Sequence, residues 1–233
     1  PQEQIITALK QRPRWLALAN PNSPTGTIVS KKDLRAILEA APRTLVLVDE
    51  AYYDFSGQTV LPWIRRYPNL IVTRTFSKAF GLAAVRMGCV FANEKLTEMM
   101  RCGKNPFSVN SIALACAVEA INQKKYVSKY VAQVLANRKR LCEAFDEMNV
   151  FYVPSSANFV LTRIGKRSSE IARRLRRKRI LVRDWTYASN LCGYLRFTVG
   201  SLAQTRLLIE ELRRVQHLME TVKRSDLRRK IGT

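Results

Sequence analysis

Thr44-Leu45-Val46-Leu47-Val48-Asp49-Glu50-Ala51-Tyr52 is a short apolar run that stops on two carboxylates and a phenol. The run is too short and too evenly apolar for an amphipathic helix, so it reads as a strand of a sheet core. Working outward, Trp15–Ala19 precedes it, and Leu70–Thr73 and Gly88–Phe91 follow, each another apolar run of strand length. Near-continuous apolar strands of this kind predict a sheet covered on both faces. Between the first two runs, Ser30 opens a helix, with Asp33 in a capping-box-like position and Leu34, Ile37 and Leu38 on one face. The alternation of strand and helix predicts α/β architecture.

The period changes after Asn105-Pro106. Residues 111–122 and 126–148 read as two helices. A smaller α/β unit follows, with strands near 150–153, 158–162, 180–182 and 194–199 and helices around 168–179 and 201–219. The expected organisation is a large domain over 1–108, connecting helices over 109–148, a small C-terminal domain over 149–219 and a basic tail over 220–233.

Composition narrows the function classes. The chain has 233 residues, 47% of them hydrophobic, which suits a folded domain with a sizeable core. No apolar run approaches the roughly 20 residues needed to span a bilayer. The five cysteines are scattered, with no C-x-x-C pair, so neither a disulfide framework nor a metal site is expected, and a reducing cytoplasm is the expected setting. The single histidine, His217, argues against catalysis built on imidazole. The formal charge is +22, from 40 Lys and Arg against 18 Asp and Glu, concentrated in Arg173–Arg179 and in the stretch from Arg213 to Lys230. Such a surface can bind nucleic acid. Ile171, Leu175 and Ile180 nevertheless keep an amphipathic spacing through the first stretch, so a solvated helix face is preferred over a nucleic-acid interface.

Open α/β sheets bind ligands beyond the carboxyl ends of their strands. There the chain places Asn20-Pro21-Asn22-Ser23-Pro24-Thr25-Gly26, Asp49-Glu50-Ala51-Tyr52 and Thr73-Arg74-Thr75-Phe76-Ser77-Lys78, with Arg86 shortly after. A pyridoxal 5′-phosphate (PLP) site needs such a set: an amine for the aldehyde, a carboxylate for the pyridine nitrogen, a phenol for the ring oxygen, and hydroxyls with a guanidinium for the phosphate. Lys78, Asp49, Tyr52, and Thr75 with Ser77 and Arg86 meet those needs. Glu50 should point to the other face of its strand and is left out.

These motifs, in this order and at this spacing, resemble the signature of the fold-type I, class I and II PLP-dependent aminotransferases. Arg74–Ala83, Asn105–Asn110, Val182-Arg183-Asp184 and Leu195–Gly200 are most similar to its histidinol-phosphate aminotransferase branch. The resemblance runs from about Trp15 to Leu212. It implies a mostly parallel sheet with flanking helices plus a smaller C-terminal α/β domain. It also implies that Lys78 holds PLP as a Schiff base and moves the substrate proton, and that Asp49 pairs with the ring nitrogen. Tyr52 would donate to the ring oxygen, and Thr75, Ser77 and Arg86 would hold the cofactor phosphate. Arg196 would bind an amino-acid carboxylate, Arg183 a substrate phosphate, and Asn158 would lie near the substrate. The reaction implied is amino transfer between histidinol phosphate and 2-oxoglutarate in a ping-pong cycle, carried out by a homodimer.

Two departures stand out. The family has Asn directly before Pro-Thr-Gly, where this chain has Ser23, whose hydroxyl can also donate. The family's N-terminal segment, which supplies further walls of the pocket, has no counterpart before Trp15, so the chain is expected to be roughly the last two-thirds of an enzyme. Alternatives are another fold-type I reaction, such as threonine-phosphate decarboxylation, or a non-catalytic basic protein that associates with nucleic acid.

Overall fold

The computed structural model describes residues 2–105 and 107–221, so Pro106 and the basic tail from residue 222 onward lie outside the described residues. The chain forms two compact units. One holds the residues up to 23 and 27–129; the other holds 24–26 and the residues from 130 onward.

The first unit runs α1 (Gln2–Leu9), β1 (Trp15–Ala19), α2 (Lys31–Ala40), β2 (Leu45–Asp49), α3 (Tyr53–Ser56), β3 (Leu70–Thr75), β4 (Gly88–Phe91), α4 (Glu94–Cys102) and α5 (Ser111–Asn122). The strands form one sheet in the order β1-β2-β3-β4, parallel through β3, with β4 antiparallel at the edge. Ser30 caps α2 by accepting from the Asp33 N–H, as its sequence position predicts. Leu34, Ile37 and Leu38 of α2 pack against Val46 and Val48 of β2 and Leu70 and Val72 of β3, with Leu9 of α1 completing the cluster. Alternate side chains of a strand point to opposite faces, so this cluster covers one face of the sheet.

The expectation that the strands are covered on both faces fails at β1. Trp15, Ala17 and Ala19 are exposed, while Leu16 and Leu18 between them are partly buried. An unbroken apolar run therefore conceals a two-residue alternation here, because alanine and tryptophan are apolar whichever way they face.

Helix α6 (Lys124–Glu147) begins in the first unit and continues into the second. The second unit continues with β5 (Tyr152–Val153), β6 (Phe159–Arg163), α7 (Ser168–Arg177), β7 (Arg183–Asp184), β8 (Tyr194–Thr198) and α8 (Leu202–Arg214). Its sheet has the order β5-β6-β8-β7, antiparallel throughout. Phe145 of α6 packs against Phe197 of β8, with ring centroids 5.6 Å apart. Ser201 and Gln204 close a reciprocal capping box at the start of α8. On α7, Ile171 and Leu175 are fully buried, whereas Arg173, Arg174, Arg176 and Arg177 are exposed. Most of the basic stretch is thus the solvent face of an amphipathic helix. His217, in a short 3-10 turn after α8, is also exposed.

Candidate active site

The first unit gathers its polar side chains where β2 and β3 end. Asp49 is the last residue of β2, and its Cα partner on β3 is Thr73. Thr73 Oγ1 donates to Asp49 Oδ1 at 2.9 Å, and the Ala51 N–H donates to the same oxygen at 3.1 Å. Both bonds use Oδ1, which leaves Oδ2 as an unfilled acceptor among the described residues. Glu50, one residue on, is almost wholly buried. Its carboxylate accepts from Thr59 Oγ1, from the Val60 N–H at 2.7 Å, and from Arg74 Nε at 3.1 Å and Nη2 at 2.9 Å. Strand alternation thus separates two adjacent carboxylates, and Glu50 serves structure.

Tyr52 lies at the start of α3 and is buried. The Lys78 amine stands over its ring, 5.4 Å from the centroid. Lys78 follows β3 in a tight bend in which its carbonyl accepts from the Gly81 N–H. Gly81 takes the left-handed conformation, φ 70°, that lets the chain turn back there. Among the described residues the Lys78 amine has no hydrogen bond or ion pair. Thr75, the last residue of β3, accepts from the Ser77 N–H through Oγ1 at 3.1 Å, so the two hydroxyl residues share one turn.

Arg86 sits between the 3-10 turn at Ala83–Val85 and β4. It is exposed and adopts a left-handed backbone, φ 56°, which costs about 1 kcal/mol or more for a residue with a Cβ. Two residues later Gly88 is the Cα partner of Thr75, and a Cβ on Gly88 would lie 2.7 Å from the Arg74 carbonyl oxygen. The Arg86 guanidinium donates to the Ala83 carbonyl at 2.8 Å and is not engaged with Thr75 or Ser77. Ser23, itself exposed, opens the turn at the start of the Pro24-Thr25-Gly26 motif. That loop hangs from Asn20, whose N–H donates to the Asp49 carbonyl at 2.9 Å and whose Oδ1 accepts from the Val29 N–H at 2.8 Å. All seven residues expected to bind the cofactor therefore belong to the first unit.

The other three expected residues belong to the second unit. Asn158 directly precedes β6, and its carbonyl accepts from the Val199 N–H at 2.8 Å. Arg183 and Arg196 are Cα partners on β7 and β8, so their side chains leave the same face of the sheet. The Arg183 guanidinium lies 5.6 Å from the ring centroids of both Trp185 and Tyr187, and its Nη2 donates to the Tyr187 hydroxyl at 3.1 Å. The Arg196 guanidinium lies 4.7 Å from the Phe159 ring and 5.9 Å from Trp185. Trp185 and Tyr187 stack on each other at 5.5 Å. Asp184, next to Arg183, faces the other way, accepting from Ser169 Oγ at 2.6 Å and from the Thr186 N–H and hydroxyl.

Three of these residues do not stand out in the sequence. Thr73 is legible only once the β2–β3 register is known. Trp185 and Tyr187 follow Arg183 at steps of two, the spacing of one strand face, and that alternation was the signal available.

Comparison with known proteins fixes the family. Residues 2–212 match the family described as aminotransferase class I and II. The chain belongs to the class I and II aminotransferases. Among curated relatives, the histidinol-phosphate aminotransferase of Ruminiclostridium cellulolyticum is 35% identical over 209 residues, 89% of this chain and 58% of the relative. The chain thus spans less than two-thirds of that relative's length. Among solved structures, the histidinol-phosphate aminotransferase of Sinorhizobium meliloti, determined in complex with PLP, superposes with a TM-score of 0.83 at 28% identity, covering 93% of this chain and 61% of that one. The L-threonine-O-3-phosphate decarboxylase of Porphyromonas gingivalis superposes with a TM-score of 0.78 at 25% identity, covering 87% of this chain and 64% of that one.

PLP is the cofactor of class I and II aminotransferases, and the donor set of this chain fits it. Asp49 Oδ2 is an open acceptor of the kind a pyridine N–H requires. The Lys78 amine is not tied up in an ion pair, and two hydroxyls share one turn for a phosphate. Among the described residues no helix is long and apolar enough to cross a membrane.

Proposed function

We propose that the whole protein is a PLP-dependent aminotransferase that moves an amino group between histidinol phosphate and 2-oxoglutarate, in histidine biosynthesis, in a ping-pong cycle. The observation that carries this reading is the Lys78 amine, free of ion pairs, beside Tyr52 while Asp49 keeps one carboxylate oxygen open. The name of the 35%-identical relative supports the substrate. The large domain over 1–108, the connecting helices over 109–148 and the small domain over 149–219 are the working division, and a cytoplasmic homodimer is the proposed state.

When bound, PLP supplies an electron sink that makes the substrate Cα proton acidic. The chain's own residues do the rest. Lys78 Nζ would hold the cofactor aldehyde and would be the base that takes up and returns the substrate proton. Asp49 would accept from the ring N–H and so keep that nitrogen protonated. Tyr52 and Ser23 would donate toward the ring oxygen, and Thr75, Ser77 and Arg86 would hold the phosphate. Arg196 holds a carboxylate and Arg183 a substrate phosphate, while Asn158 borders the substrate. One pair of guanidiniums can thereby accept both halves of the reaction, since each presents planar donors to either anion.

Addition of PLP to the protein, followed by the absorbance of covalently bound cofactor, tests the assignment. Lys78→Ala is expected to abolish the band, and an equal band in the variant would overturn the reading. Substrate choice is tested by turnover. The likeness to the threonine-phosphate decarboxylase favours a second reading in which the same cofactor site serves decarboxylation. Release of carbon dioxide from a phosphorylated amino acid, with no dependence on 2-oxoglutarate, would establish that reading in place of the first.

A further inference from the structure

Two arginines directly opposite on neighbouring strands repel each other, and the pair Arg183–Arg196 is such an arrangement. Among the described residues no carboxylate forms an ion pair with Arg183, and the nearest in sequence, Asp184, is turned to Ser169 and Thr186. Both cations share one aromatic neighbour, an indole. Both guanidiniums lie within 6 Å of the Trp185 ring, at 5.6 and 5.9 Å, close enough for the negative face of the ring to attract each of them. Trp185 is itself fixed. Its N–H donates to the Tyr194 carbonyl at 3.2 Å, extending the β7–β8 ladder, and its ring stacks on Tyr187. The indole Nε1, out of contact with solvent, has no acceptor among the described residues.

We propose that Trp185 is a positioning and specificity-determining residue of this chain's substrate-anion subsite. Its ring holds Arg183 and Arg196 together, so that the pair takes a doubly charged phosphate monoester in preference to a singly charged carboxylate. Tyr187 supports it, stacking on the indole and accepting from Arg183. The proposal rests on the reading that Arg183 and Arg196 bind the substrate anion, and adds what selects the charge of that anion. A dianion is attracted by both guanidiniums at once, and holding the two in place lowers the ordering cost of engaging it with both.

The test uses the 233-residue chain and inorganic phosphate at a pH near 8, where phosphate is chiefly a dianion. Arg86→Gln serves as background, which removes a contributor to any phosphate bound at the cofactor site. The chain has three tryptophans, so its proton–nitrogen correlation spectrum has three indole signals, and Trp185→Phe assigns the one that matters. The Trp185 indole signal is expected to shift saturably with phosphate and to stay in place with equal acetate. Trp185→Leu, which removes the aromatic face, should weaken phosphate binding about tenfold, and Trp185→Phe, which keeps a face of weaker attraction for cations, by about two- to threefold. Arg183→Gln should abolish the shift. The proposal is overturned if the indole signal does not move, if acetate moves it equally, or if Trp185→Leu binds phosphate as the parent does. Should Trp185→Leu fail to fold, as read from the amide signals, the indole titration and Trp185→Phe decide. None of these readouts involves Lys78, so loss of covalent PLP binding and loss of phosphate selectivity are separate results.

Discussion

Asp49 and Glu50 are consecutive carboxylates with opposite assignments: Asp49 keeps Oδ2 open, while Glu50 is closed in by Thr59, Val60 and Arg74. Removing one partner of a buried ion pair strands the other charge. Glu50→Gln is therefore expected to destabilise the first unit by about 3 kcal/mol, at the low end for buried pairs because Arg74 keeps some solvent contact. Asp49→Asn, whose side-chain oxygen can still accept from Thr73 and Ala51, should alter stability by less than about 1 kcal/mol while abolishing amino transfer. Urea denaturation of both variants, beside an assay of the half-reaction with glutamate, measures the contrast. Equal destabilisation by the two would show that the carboxylates are not divided in this way.

Tyr52 offers both a ring and a phenol. Tyr52→Phe retains the ring beneath the Lys78 amine and removes only the hydroxyl. PLP affinity is expected to fall about tenfold, the scale of one hydrogen bond to a charged acceptor, with covalent attachment at Lys78 preserved. Equilibrium titration of PLP, read by absorbance, gives the number. An unchanged affinity would mean that the phenol does not reach the cofactor.

Burial pushes the Cys142 thiol up to about 11, against a smaller opposing pull from Arg138, and the Tyr152 phenol beside it is raised as well, again chiefly by burial. A raised thiol favours the protonated form in the folded state. Its contribution to stability is thus present below the ordinary value of 9.0 and is lost as pH rises through about 11. Only the thiolate alkylates. Iodoacetamide at pH 8 should label the exposed Cys102 and Cys192 first, and labelling of Cys142 should climb steeply only toward pH 11. Peptide mapping of the alkylated protein at each pH follows this directly. Early labelling of Cys142 would show that α6 opens readily around it.

Phe145 anchors the second unit, fully buried against Phe197 and 5.9 Å from the Tyr152 ring. Phe145→Ala should cost about 3–5 kcal/mol. Thermal unfolding monitored by calorimetry is expected to show the loss. A change below about 1 kcal/mol would indicate that the core can collapse into the space.

Much of this was legible before any coordinates. The bounds of β1, β4 and α5 coincide with the apolar runs, and Ser30 caps the helix it was expected to open. The strand expected over Ile180–Val182 instead falls at Arg183–Asp184. Ile180 is drawn into the end of α7, where its N–H donates to the Leu175 carbonyl after Arg179 turns left-handed, φ 60°. Apolar character alone could not reveal that. Helix α4 has no counterpart among the elements expected from the sequence; Asn93, which caps it through its side chain, is its clearest signal. At the site, residue types are what point to the proposed cofactor-binding set, because each suits a chemical task. They did not reveal Trp185, whose task depends on a pairing between β7 and β8 that only tertiary structure defines.

The two-residue strand β7 carries one residue of each sign. Sliding it by a single position against β8 would set Asp184 opposite Arg196 and turn Arg183 toward α7. The face that now presents two guanidiniums would then carry a neutral pair. Ser169 and Thr186 act against that slip by gripping the Asp184 carboxylate. The polarity of the face is therefore set by a latch on its opposite side. Loosening that latch, as Ser169→Ala would begin to do, amounts to changing what the arginines recognise without touching either one.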